Sequence, residues 1–62
     1  MAMALFQVKE MGWDAYFSGK EEKDNPYPKE TEPAKHMSWL NGWHDAQYKD
    51  LLDKENQNAN PG

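Results

Sequence analysis

Two Gly-Trp steps constrain this chain more than any other feature. One lies in Gly12-Trp13-Asp14-Ala15-Tyr16-Phe17-Ser18-Gly19, the other in Trp39-Leu40-Asn41-Gly42-Trp43-His44-Asp45-Ala46. In both, the surrounding apolar spacing is helical, and glycine inside a helix costs about 1 kcal/mol relative to alanine. A chain of 62 residues that carries two such glycines needs a packing reason for them. Two helices meeting on small residues, with a glycine of one helix letting a tryptophan ring of the other seat on its backbone, supply one. Between the two stretches lies Asn25-Pro26-Tyr27-Pro28, which cannot be helix interior, because each proline removes a donor and restricts the residue before it. The expected fold is all-α: two antiparallel helices joined by an extended proline-containing connection.

The first helix is predicted from about Ala2 to Ser18. Leu5, Val8, Gly12, Ala15 and Gly19 step by three, four, three and four, which places them on one face that narrows toward its C-terminal end. Phe6, Trp13 and Phe17 flank that face on one side, and Met11 and Tyr16 fall near the other. Gly19 reads as the C-cap, with Lys20 suited to the negative end of the helix dipole. Lys20 to Asp24 is a charge run and reads as a solvated turn. Tyr27, the one large apolar group of the connection, is expected to fold back on the helix pair as a lid. Thr31 or Glu32 caps the second helix, with Pro33 in its first turn, where a missing amide is harmless. That helix is predicted to run to about Asp53, with Trp39, Gly42, Trp43 and Ala46 on one face. A two-helix domain over residues 1–53 and a flexible polar tail over 54–62 follow.

A domain this short lies near the lower limit for folding unaided, and it has no cysteine to staple it. Three Trp, three Tyr and two Phe must therefore supply much of the core, and a partner or a homodimer would complete it. The tryptophans pose a choice between core and exposed rings that stack on bases. The core reading is preferred, with Trp13 partly exposed at a contact surface as the mixed case. The seven basic residues are all lysine, and the net charge is −4. That balance argues against a protein held to nucleic acid mainly through phosphate contacts. No apolar run approaches a membrane span or a signal-peptide core, so a soluble cytoplasmic protein with no membrane partner is the expectation.

No catalytic residue, metal site or cofactor is expected. His36 and His44 lie about 12 Å apart along one helix and cannot chelate one metal from it. Glu32 and His36 have i, i+4 spacing but read as a pair on a solvated face. Ser18 and Ser38 lack a base, and no phosphate-binding loop, nucleophile elbow or zinc signature is present.

These residues resemble the ribosome modulation factor family, including its short CrpP-like relatives. The likeness covers Gly12 to Ala46: Gly12-x-x-Ala15-x-x-x-Gly19, then Asn25-Pro26-Tyr27, then Trp39-x-x-Gly42-Trp43-x-x-Ala46. The resemblance implies a two-helix fold with an extended connection. It also implies a non-enzymatic protein that binds the ribosome, through rRNA or a ribosomal protein, near the 3′ end of the small-subunit RNA. There it would block messenger engagement and promote inactive ribosome dimers. On that reading, Lys20, Lys23, Lys29 and Lys35 would make the contacts, with Tyr27 as a stacking group. The ATP-dependent phosphotransfer proposed for CrpP-like relatives would need a nucleotide and magnesium site, and the sequence presents none. The family's founding members are basic and arginine-rich, whereas this chain is acidic. The alternative is therefore an acidic adaptor or inhibitor, of the kind phages and mobile elements encode, that keeps the fold and binds a basic protein instead.

Overall fold

The structure, a computed structural model, describes the backbone of residues 4–59 and the side chains of residues 4–56. Among these residues there are two α-helices, α1 (Leu5–Phe17) and α2 (Pro33–Ala59), and a single 3₁₀ turn (Glu22–Asp24) between them. No strand is present among the described residues, and α1 packs against α2, so the fold is all-α. The predicted start of the first helix at Ala2 and the tail residues Asn60 to Gly62 lie outside the described residues.

The helix ends follow local chemistry. The Ala4 side chain has no oxygen with which to cap α1, but its own amide donates to Gln7 Oε1 at 3.2 Å, half of a capping box. At the other end Gly19 takes φ 87°, just past Ser18. The Gly19 amide donates to the Tyr16 carbonyl at 3.1 Å and the Lys20 amide to the Ala15 carbonyl at 2.9 Å, the paired bonds of a Schellman ending. Pro33 opens α2, and the carbonyl of Glu32 just before it accepts from the His36 amide at 2.9 Å. The helix continues through Ala59, six residues past the predicted end at Asp53, because Lys, Glu, Asn and Gln neither break a helix nor need burial to stay in one.

The glycines do what the sequence requires of them, by a closer contact than expected. A Cβ on Gly12 would land on the Trp39 carbonyl and lie 3.1 Å from the Trp43 amide nitrogen. A Cβ on Gly42 would land on the Lys9 carbonyl and lie 3.1 Å from the Trp13 amide nitrogen. Each glycine therefore sits on the backbone segment that brackets the other. The sequence reading had a glycine seating the other helix's tryptophan ring; instead backbone meets backbone. Val8, Ala15, Trp39 and Trp43 form the buried cluster, with Tyr16, Tyr27 and Leu40 packed on it, and Ala46 is fully buried nearby.

The relative sense of the helices differs from the antiparallel expectation. Ser38 Oγ donates to the Leu5 carbonyl at 2.6 Å, Gly12 meets Trp39–Trp43, and Tyr16 Oη donates to Asp50 at 2.7 Å. Leu5 to Tyr16 and Ser38 to Asp50 each cover about 16–18 Å of helix, so contacts at both ends require the helices to advance in the same sense. The connection makes this feasible. At about 3.3 Å per extended residue, residues 18–32 can retrace the roughly 20 Å of α1 before α2 begins. A connection of a few residues would have forced antiparallel neighbours.

Candidate contact surfaces

The returning connection is fastened at three levels. Trp43 Nε1 donates to the Lys20 carbonyl at 2.8 Å, the partner a buried indole needs. Glu22 then reaches His44 Nε2 at 3.4 Å. Lower down, Asn25 closes a bracket: its Oδ1 accepts from the Tyr27 amide at 3.0 Å, and its Nδ2 donates to the His36 carbonyl at 3.0 Å. His36 Nδ1 lies 2.8 Å from the Tyr27 carbonyl. A carbonyl only accepts, so Nδ1 carries a proton; Asn25 Nδ2, 3.2 Å away, is also a donor and makes its bond to the His36 carbonyl instead. His36 is thus a clasp between the connection and α2. The solvated Glu32–His36 pair of the sequence reading does not form; Glu32 pairs with Lys35 at 3.1 Å.

Tyr27 is the lid anticipated from sequence. Its ring packs on the buried cluster, its hydroxyl donates to Met11 Sδ at 3.6 Å, and Lys35 Nζ lies over the ring, 5.8 Å from its centroid. The four lysines proposed to contact a ribosome stand around this connection in different settings. Lys20 lines a groove with Met11, Asp14, Asp24, Pro26 and Trp39. Lys23 pairs with Glu21 at 3.4 Å and lines a second groove beside Tyr16, Glu22 and Trp43. Lys29 is exposed and has no ion-pair partner among the described residues. Lys35 is shared between Glu32 and Tyr27. Carboxylates therefore lie beside most of this cationic set.

The opposite side of the helix pair is open. A groove of about 370 Å³, lined by Phe6, Lys9, Glu10, Trp13, Asp14, Gly42 and Asp45, includes no residue of the connection. Trp13 is only half-buried, whereas Trp39 is 2% exposed and Trp43 is buried. The tryptophans therefore divide as in the mixed case: two core rings and one at a surface. Trp13 and Phe17 rings lie 5.6 Å apart, and Phe6 and Phe17 are 70% and 53% exposed. Lys9 pairs with Asp45 across the groove at 3.2 Å.

Beyond the crossing, the Tyr16 hydroxyl donates to Asp50 and ties the two helices together. The Tyr16 hydroxyl at 2.7 Å and Lys54 Nζ at 3.2 Å hold the Asp50 carboxyl below its ordinary value. The same carboxylate pushes the Tyr16 phenol up. Sequence reasoning missed this pair and the Ser38–Leu5 bond, because neither residue type signals a partner more than 30 positions away. It also missed His36, although Asn25-Pro26 signals an Asx turn that something must anchor.

Among the described residues no group of three or more His, Cys, Asp or Glu side chains could hold a metal ion, and no helix is long and apolar enough to cross a membrane. The chain matches no protein-family model, no curated protein and no solved structure.

Proposed function

We propose that this protein is a non-enzymatic, cytoplasmic modulator of translation that acts by occupying a site on the ribosome, in the manner its resemblance to ribosome modulation factor implies. One observation supports the reading above the rest. The motif residues that carry the resemblance hold the architecture together at successive points. Gly12 and Gly42 make the crossing, Ala15 and Ala46 are buried beside it, and Gly19 ends α1 in the left-handed region. Asn25 anchors the connection, Tyr27 caps the core, and Trp39 and Trp43 fill it. Pro26, exposed between Asn25 and Tyr27, keeps that segment out of helix. A likeness confined to composition would not fall on these positions.

Occupancy needs no chemistry at the site, only a rigid body and a contact surface. Lys20, Lys23, Lys29 and Lys35, on or beside the fastened connection, are the cations available for phosphate contact, and Tyr27 lies among them. The decisive experiment is sucrose-gradient sedimentation of host lysate at low and moderate salt, following this protein. Co-migration with ribosomal particles, weakened as salt rises and lost when the four lysines are changed to glutamate, is expected, since phosphate contacts release counterions. Confinement to the top of the gradient at both salts sinks the reading.

A further inference from the structure

We propose that the open groove between α1 and α2 is a docking site for a basic amphipathic segment of a partner protein. Phe6 and Trp13 line the groove, and the exposed Phe17 ring, 5.6 Å from that of Trp13, continues the aromatic side of α1 beyond it. On α2, Asp45, Tyr48 and Leu52 share a face by their i, i+3, i+7 spacing, and Tyr48 and Leu52 are exposed there. A wall of this kind accepts an apolar side chain against Trp13, the pocketed anchor that dominates most protein contacts.

The rim charge selects the occupant. Lys9, the groove's cation, is neutralised by Asp45. Glu10 and Asp14, one turn apart on either side of Trp13 in the sequence, have no cation partner among the described residues. The groove therefore presents apolar surface edged by two uncompensated carboxylates, and the complementary ligand is apolar and cationic. A second copy of this chain, net charge −4, would bring carboxylates against carboxylates. A nucleic acid would bring phosphates against the same rim. None of the connection lysines lines this groove, although Asp14 also borders the groove that holds Lys20, and the proposal does not depend on the ribosome reading.

The test uses the full chain and a synthetic helical peptide of Leu and Arg with one apolar and one cationic face. Two control peptides accompany it, a Leu/Glu counterpart and a Ser/Arg peptide of equal charge without the apolar face. Titration calorimetry reads affinity, and NMR reads the indole N–H resonances. The Leu/Arg peptide should bind one-to-one and shift the Trp13 indole while leaving the Trp43 indole, bonded to the Lys20 carbonyl, in place. E10K/D14K and F6S/F17S variants, checked for folding by circular dichroism, should each weaken binding by about tenfold or more. Failure of the Leu/Arg peptide to bind, or equal binding of either control peptide, overturns the proposal. So does sedimentation equilibrium showing a dimer whose formation is lost in F6S/F17S, or an RNA oligonucleotide that shifts the Trp13 indole more strongly than the peptide.

Discussion

At Gly12 a methyl group has nowhere to go. In an exposed helix, Gly→Ala stabilises by about 1 kcal/mol, because alanine loses less backbone freedom on folding. Here the added carbon meets a main-chain carbonyl of α2, which cannot rotate away as a side chain would, so the steric term decides the sign. Gly12→Ala and Gly42→Ala should each destabilise by about 2 kcal/mol or more, lowering the melting temperature by roughly 10 °C in a domain of this size. Thermal unfolding followed by circular dichroism measures it, and an unchanged or raised midpoint would contradict the close crossing. Asp50 makes a second prediction at this scale. Its carboxyl is held below its unfolded value, so the stabilisation is present above the unfolded pKa near 3.9 and is lost as pH falls through the lower folded value. Tyr16 behaves in the opposite sense: its phenol is raised, so its contribution is complete below about pH 10 and is lost as pH rises through the folded value. Tyr16→Phe should remove the alkaline dependence and weaken the acid one, which Lys54 still supports, as urea unfolding across acid and alkaline pH would show.

The elements are stopped and joined by local devices of different kinds. Gly19 has no atom within 4 Å of where its Cβ would be, so only its positive φ restricts it. Gly19→Ala should therefore cost about 1–2 kcal/mol from backbone strain alone, without the wider disruption expected at Gly12. Comparing near-ultraviolet circular dichroism of the two variants separates the mechanisms, since only the crossing variant moves the tryptophans. The connection depends on Asn25 as a bracket between Tyr27 and α2. Asn25→Ala removes its bonds to the Tyr27 amide and the His36 carbonyl, and a loss of about 1–3 kcal/mol is expected. Faster amide exchange confined to residues 25–28 at first, before global unfolding, would identify the bracket as the cause.

Taken whole, the molecule is 50 Å long and 21 × 16 Å across, because α2 extends past the end of α1. Tyr16–Asp50 is the last inter-helix hydrogen bond along α2 among the described residues, and residues 51–56 are exposed. Removal of residues 55–62 should lower helical content while changing unfolding free energy by less than about 0.5 kcal/mol, since Lys54, which supports Asp50, is retained. A large loss of stability in denaturant titration would instead place part of the core there. At this scale, too, the aromatic residues divide. Two tryptophans lie under the connection and one faces the open groove, so the chain encloses one side of its helix pair and leaves the other apolar.

The features legible in sequence are those set by neighbouring residues. Helical spacing, the proline block, the Pro33 start, the Gly19 ending and the need for small residues at a crossing depend on backbone sterics within a turn or two. The two glycines also named their own packing reason, since a helix keeps such residues at a cost only where something presses against them. Tertiary structure decided the rest. Whether α2 runs with or against α1 depends on how far fifteen connecting residues travel before turning, and nothing in their local propensities specifies that path. Once the connection returns along the Trp39 and Trp43 side, His36 meets Tyr27, Tyr16 meets Asp50, and Trp13 is left on the open face. Those pairings link residues far apart in sequence, and their geometry exists only after the chain has closed on itself.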